Sequence, residues 1–304
     1  MRRCLQLARN GMQNARPNPM VGAVIVADDG RIIGEGYHQR CGEGHAEVNA
    51  FASVKPEDEP LLGNATIYVS LEPCAHYGKT PPCAELIVRK GVKRCVVGCT
   101  DPFAKVQGRG IEMMRNAGIE VTVGVLEEEC RELNKRFFTY HSKKRPYILL
   151  KWAQSANGFI DDNFLPYAFS NEYTKMLSHK LRAEEDAILV GKTTDEREHP
   201  QLNVRHWHGN DPRRIVLESS TTLPLLMEQL HAEGIQSLIV EGGAKVLNSF
   251  IEAELYDEIR IETAPVTIAN GTPAPQLPGK TILHKQENYA GNSIAWLRPS
   301  AQIR

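Results

Sequence analysis

Three residues far apart in the chain, His45, Cys74 and Cys83, carry side chains that borderline and soft metals bind, and Glu47 stands two positions past the histidine. A catalytic zinc takes three protein ligands of this kind and keeps a fourth position for water. To hold one ion, the segment at 45 and both ends of Pro73-Cys74-Ala75-His76-Tyr77-Gly78-Lys79-Thr80-Pro81-Pro82-Cys83 must converge. That is a strong constraint on the fold. Each part alone is weak, since a lone cysteine is usually a small buried hydrophobe and His-Ala-Glu recurs by chance. The combination of His-x-Glu, a strand, Pro-Cys and a second Cys carries the weight, and it leaves the Glu free to move protons rather than bind metal.

The local patterns place these residues. Met1 to Asn14 has helical spacing, Val21–Val26 and Arg31–Gly36 read as strands around an Asp28-Asp29-Gly30 turn, and His45–Val54 reads as a helix opened by Gly44. Thr66–Val69 is a strand, Pro82–Arg89 a helix, Arg94–Gly98 a strand, Gly110–Asn116 a helix, Ile119–Val123 a strand, and Glu127–Tyr140 one last helix. Strands alternating with helices predict an α/β sandwich. His45 and Glu47 fall at one helix N-terminus, and Cys74 follows Pro73, a first-turn residue. Two helix N-termini are therefore expected to meet, where partial positive charge favours thiolate. Cys4, Cys41, Cys95, Cys99 and Cys130 have no such context and read as structural or incidental.

At 304 residues the chain is long for one domain and comfortable for two, here 1–145 and 146–304. A formal net charge of −1 argues against a polycationic surface for nucleic acid or membrane. No apolar run is long enough to span a bilayer, and the start reads as a polar helix rather than a signal segment. Seven cysteines, an odd number, fit a reducing cytoplasm better than a disulfide framework.

Beyond Arg145-Pro146 the pattern restarts. Tyr147–Ala153 is a strand, Asn171–Ala183 a helix, Ala187–Gly191 and Arg214–Leu217 strands, Leu223–Glu233 a helix, and Ser237–Glu241 a strand. Gly242-Gly243 then opens a helix from Ala244 to Ala253, a turn at which backbone N–H groups can approach a phosphate. No G-x-G-x-x-G is present, which argues against a Rossmann domain.

The nine-residue step from Cys74 to Cys83 departs from the short Cys-x-x-Cys of most zinc deaminases. With Pro17-Asn18-Pro19-Met20-Val21-Gly22, Gly34-Glu35-Gly36-Tyr37-His38, Leu71-Glu72-Pro73-Cys74 and Thr100-Asp101-Pro102, it resembles the deaminase half of the bifunctional riboflavin-biosynthesis deaminase–reductases. The resemblance implies a cytidine-deaminase-like three-layer domain. It implies zinc on His45, Cys74 and Cys83, Glu47 as the proton carrier, and Asn18, His38, His76 and Lys79 around the substrate.

The second half resembles the reductase half of that family through Lys151, Ala153, Ser155, Gly158, Arg182–Ile188, Val190-Gly191, Pro200-Gln201-Leu202 and Val240–Ala244. That implies a dihydrofolate-reductase-like fold using NADPH. Ala153, Thr194, Glu198, Glu218, Gly243, Ala244, Lys245, Val246, Leu247, Asn248 and Ser249 would meet the cofactor, and Arg182, Leu202, Arg205 and Glu241 the substrate. Asn157 and Glu198 stand where the family has Asp, Ala168 where it has Trp, and a strand and helix are missing between Leu217 and Leu223.

The expected function is zinc-dependent hydrolytic deamination of a diamino-ribosylaminopyrimidinone 5′-phosphate, followed by NADPH reduction of its ribosyl group. The expected partners are this phosphorylated small molecule and further copies of the chain, with no nucleic acid and no membrane. An alternative is a zinc deaminase of another nucleobase or nucleoside with a degenerate, non-reducing second domain. A non-catalytic zinc-stabilised module would call for a fourth protein ligand.

Overall fold

The computed structural model describes residues 1–77, 81–103 and 106–300. The chain divides into two compact units, Met1–Lys143 and Lys144–Arg304.

In the first unit the elements run α1 (Arg2–Arg9), β1 (Gly22–Val26), β2 (Ile32–Tyr37), α2 (Ala46–Ala52), β3 (Thr66–Leu71), α3 (Cys83–Lys90), β4 (Arg94–Cys99), α4 (Arg109–Asn116), β5 (Glu120–Val123), α5 (Glu127–Leu133) and α6 (Lys135–Lys143). The sheet order is β2-β1-β3-β4-β5, antiparallel at β2/β1 and β1/β3 and parallel across β3, β4 and β5. Inward residues of the strands, with Ala46, Ala50 and Phe51 of α2, Ala84 and Ile87 of α3 and Met114 of α4, build one core. Cys4, Leu5 and Leu7 of α1 and Cys130 of α5 bury against the opposite face. The result is a sheet between two helical layers, as the alternation of patterns predicts.

Two expectations fail here. The first helix stops at Arg9, at an Asn10-Gly11 turn signal, rather than reaching Asn14. The stretch from Glu127 to Tyr140 is two helices, interrupted at Asn134, which leaves helical geometry at φ −111° and whose side chain pairs with Met20: its Nδ2 donates to the carbonyl at 2.8 Å and its Oδ1 accepts the N–H at 2.8 Å.

The second unit contains β6 (Tyr147–Gln154), α7 (Glu172–Glu184), β7 (Ala187–Gly191), α8 (Lys192–Glu198), β8 (Arg213–Leu217), α9 (Leu223–Ala232), β9 (Ser237–Val240), α10 (Ala244–Glu252), β10 (Glu258–Thr263), β11 (Thr281–Tyr289) and β12 (Asn292–Pro299). Sheet order is β11-β12-β10-β6-β9-β7-β8. Sequence patterning stops short of the last three strands: β10 is buried yet carries Glu258, Arg260 and Glu262, and β11 is largely exposed.

α9 and α10 bury Leu226, Met227, Leu230, Leu247, Phe250 and Ile251 on one face, whereas α7 places Leu181 against the other. The crossover from β6 to β7 passes β9, and the crossover from β9 to β10 returns past β6. The strand order thus reverses between β6 and β9, the position at which parallel α/β sheets open a crevice at their carboxyl ends.

Candidate active sites

The first site lies where β3 and β4 end. His45 is the N-cap of α2 and Glu47 sits in its first turn, 3% exposed. α2 reaches this depth because β2 carries glycine beneath it: a Cβ on Gly36 would come within 2.3 Å of the Ala50 nitrogen. Cys83 is the first residue of α3, a place expected for Cys74. Cys74 instead lies in the loop after β3, tied to α3 by its carbonyl, which accepts from the Ala84 N–H at 3.1 Å. Pro82 is what starts the helix, as its N-cap. Two helix N-termini do converge, with Cys83 rather than Cys74 opening the second.

His45 Nδ1 lies 3.6 Å from Cys74 Sγ and 3.3 Å from Cys83 Sγ, and the three ligand atoms all fall within 4.8 Å of one another. Tetrahedral zinc with ordinary Zn–S and Zn–N bonds spaces sulfur and nitrogen by about 3.6 Å, so the donor set fits that ion. The electrostatics prepare it. The Cys83 thiol bonds Cys74 and holds it well below the ordinary thiol range, helped by His45 and by the Cys83 N–H at 3.2 Å. The Cys74 sulfur in turn holds His45 above its usual value. Burial pushes the Glu47 carboxyl up to about 7, the Cys74 charge adding to that and His45 opposing it. A buried carboxylate beside this triad, not consumed as a ligand, is equipped to carry protons.

Around it, Asn18 Nδ2 lies 3.0 Å from His38 Nε2, and His38 Nδ1 lies 3.1 Å from the Gly44 carbonyl. A carbonyl only accepts, so Nδ1 bears the proton and Nε2 accepts from the Asn18 amide. Asn18 is thereby turned with its Oδ1 free. His38 itself is 2% exposed and braces the Asn18 amide. His76 is exposed, its ring 6.0 Å from that of Phe103. Lys79 lies outside the described residues.

The second site sits at the β6/β9 reversal. Glu241, just past β9, accepts from Arg182 Nε at 2.9 Å and Nη2 at 2.8 Å, and from Lys151 Nζ of β6 at 3.3 Å. Burial opposes ionisation of Glu241, yet Lys151 and Arg182 hold its carboxyl down to about 2. Burial lowers Lys151 against the pull of Glu241. Arg260, paired in register with Lys151, is 1% exposed, and both its terminal nitrogens lack hydrogen-bond partners among the described residues. It forms an ion pair with Glu262 at 3.8 Å. The group holds three cations, Lys151, Arg182 and Arg260, against two carboxylates, which suits an anionic ligand. Arg260 escapes sequence reasoning because a lone charged residue in a strand pattern reads as solvent-facing.

Of the remaining expected residues, Arg205 Nη1 donates to Asn203 Oδ1 at 2.7 Å and its backbone N–H to His179 Nδ1 at 3.2 Å. Leu202 packs in the core with φ 52°. Thr194 Oγ1 accepts the Gly243 N–H at 3.2 Å, joining α8 to the start of α10. A Cβ on Gly242 would lie 2.9 Å from the Gly191 nitrogen, and one on Gly243 3.0 Å from Thr194 Oγ1. These glycines keep a backbone cradle open where α10 begins, which fits a phosphate-bearing cofactor. Ala244, Lys245, Val246, Asn248 and Ser249 follow along α10, and Leu247 turns its side chain into the core at 1% exposure. Ala153 lies in register with Glu262. Glu218 is exposed and paired with Lys192 at 3.0 Å, and Glu198 ends α8. Asn157, where Asp was expected, donates to the Ile268 carbonyl at 2.8 Å and accepts its N–H at 3.0 Å. An ionised aspartate could only accept.

Comparison with known proteins places both units. Residues 1–99 match the cytidine and deoxycytidylate deaminase zinc-binding region, and residues 146–228 and 220–289 match the RibD C-terminal domain. The chain is 39% identical to the riboflavin biosynthesis protein RibD of Aquifex aeolicus over 317 residues, 89% of this chain and 87% of that one. It is 34% identical to the Escherichia coli RibD over 87% of this chain and 86% of the other. A solved structure described as a diaminohydroxyphosphoribosylaminopyrimidine deaminase/5-amino-6-(5-phosphoribosylamino)uracil reductase from Thermotoga maritima superposes with a TM-score of 0.91 at 33% identity, covering 98% of this chain and 97% of that one.

Proposed function

The chain belongs to the RibD family of bifunctional riboflavin-biosynthesis proteins, and from that premise we propose residue roles for its two activities. It is an enzyme with deaminase and reductase activities, using zinc and NADPH. The reading of a nucleobase deaminase with a degenerate second domain is not favoured, since that domain matches the reductase family over most of its length.

The deaminase acts on a diamino-ribosylaminopyrimidinone 5′-phosphate. The convergence of His45, Cys74 and Cys83 beside buried Glu47 carries this reading. Bound zinc supplies a water acidified toward neutrality. Glu47 would take one proton from the attacking water and pass it to a ring nitrogen, then take the second from the resulting hydroxyl and pass it to the amino group, which leaves as ammonia. Asn18, oriented by His38, presents its Oδ1 to the ring's N–H groups. The family resemblance assigns His76 and Lys79 to substrate binding as well.

The reductase converts the ribosyl group of the deaminated product to ribityl. NADPH supplies the hydride. Gly243 and the first turn of α10, with Thr194, Ala153, Glu198 and Glu218 around them, hold that cofactor. Arg182, Lys151 and Glu241 form the substrate wall, and the buried Arg260 beside them, its terminal nitrogens without hydrogen-bond partners among the described residues, supports a phosphorylated substrate.

Among the described residues no helix is long and apolar enough to cross a membrane. The seven free cysteines support a reducing cytoplasm. Exposed Ile282 and Leu283 on the outer strand β11 support association of copies, which sedimentation analysis would test.

Incubation with the diaminopyrimidinone phosphate tests the whole reading. Ammonia is expected with or without NADPH, with NADPH consumed after deamination. Ammonia release without NADPH oxidation would overturn the reductase roles, and no ammonia from the zinc-loaded chain would overturn the deaminase roles.

A further inference from the structure

Glu72 follows β3 directly, is 3% exposed, and stands two residues before Cys74. Its carboxylate accepts four backbone N–H groups. Oε2 receives those of Asp101 at 3.2 Å and Gly108 at 3.0 Å, and Oε1 those of Gly110 at 3.1 Å and Ile111 at 3.4 Å. Three of these belong to the N-terminus of α4, whose first N–H groups have no partner within the helix. Glu72 thus closes a helix from a strand end 36 residues earlier in the chain.

The contact reaches the metal ligands and the substrate side alike. The residue between Glu72 and Cys74 is Pro73, and α4 presses on it so closely that a Cβ on Gly110 would lie 2.1 Å from the Pro73 carbonyl oxygen. Proline's fixed φ transmits that placement to Cys74. On the other side, the Asp101 backbone held by Glu72 continues into a turn in which Asp101 Oδ1 accepts the Phe103 N–H at 2.7 Å. The Phe103 ring meets that of His76. One carboxylate therefore clamps the Cys74 loop to the segment that supports His76.

We propose that Glu72 is a positioning residue of the deaminase site, setting Cys74 relative to the Asp101–Phe103 wall. The proposal rests on the deaminase reading above. A residue that only capped α4 would affect stability alone.

The test is Glu72→Gln in the full-length chain. The variant keeps the size of the side chain, but turns an NH2 group toward two N–H donors. Three quantities are measured: the visible spectrum of the Co2+-loaded protein, which reports Cys–His geometry at the metal; deaminase KM and kcat; and NADPH oxidation with already deaminated substrate, as a control on folding within the same chain. Expected are bound cobalt with a shifted spectrum, a deaminase KM raised at least tenfold, and unchanged reductase rates. Glu72→Asp, which keeps the charge, should recover part of the KM. An unchanged spectrum and KM with only a lowered Tm would overturn the proposal, and the same result in Glu72→Asp would do so if the Gln variant does not fold. Failure of the underlying reading is separate: the wild-type chain would then bind cobalt yet release no ammonia.

Discussion

Cys83 Sγ lies 3.3 Å from His45 Nδ1, although the two stand 38 positions apart in the chain. It is Nδ1 rather than Nε2 that faces the sulfurs, and the three ligands come from the start of α2, the loop after β3 and the start of α3. The chain brings them together by laying α2 on β2 over glycine, so the metal position is inherited from the fold.

The proton carrier can be separated from the metal. Glu47→Gln should bind one zinc per chain yet lose ammonia release by about 10²–10⁴-fold, the usual size of a general acid–base contribution. Metal analysis beside an ammonia assay checks this, and substantial release by the variant would remove Glu47 from its role.

Metal removal should divide the two activities. Dialysis against a strong chelator is expected to abolish ammonia release and spare NADPH oxidation on deaminated substrate, and Cys83→Ala should do the same without chelator. Loss of both activities together would show that zinc serves the second unit as well.

Asn18 and His38 should act as one unit. Asn18→Ala and His38→Leu are each expected to lower deaminase kcat/KM about tenfold, and the double variant to lose little more, because residues in one hydrogen-bonded chain are not additive. Full additivity in the double-mutant cycle would contradict the supporting place given to His38.

In the second unit, Glu241→Gln leaves Lys151 and Arg182 buried without their counter-charge, and breaking such a group typically costs about 3–5 kcal/mol. The wild-type pair also sets an acid limit. The Glu241 carboxyl is held at about 2 in the fold, below the roughly 4.3 of an unfolded glutamate. Its contribution is therefore complete above the unfolded value and lost as pH falls through the folded one. Acid denaturation of wild type and variant should converge across that window.

His179 gives a second acid-sensitive position at higher pH. Burial lowers its pKa to about 4, with Arg182, Arg205 and His206 adding to that, whereas an unfolded histidine titrates near 6.5. The stability due to neutral His179 is present above the unfolded value and declines as pH falls toward the folded one. His179→Gln should flatten the pH dependence of Tm between those limits, and an unchanged slope would exclude His179 as its source.

Sequence spacing was enough to expose the chemistry wherever the residues are chemically distinctive. His45, Glu47, Cys74 and Cys83 are rare ligand and proton-carrying types at telling separations, and alternating patterns located most strands and helices. Spacing was silent on Arg260 and Glu262, because a charge in a strand reads as solvent-facing until the strand is known to be covered. It also misplaced Cys74 at a helix start, since Pro73 and Pro82 both carry that signal and only packing selects between them.

What the sequence by itself determined is the α/β class, the family and the elements of the metal centre, all of which depend on local composition and order. What only the tertiary structure decided is which atoms meet. The Nδ1 ligation geometry, the reversal of strand order that joins Lys151 to Glu241, and the four backbone groups converging on Glu72 are all contacts between distant segments. The physical reason is that hydrogen bonds and ion pairs depend on distances of a few ångströms, and sequence separation carries no such distance.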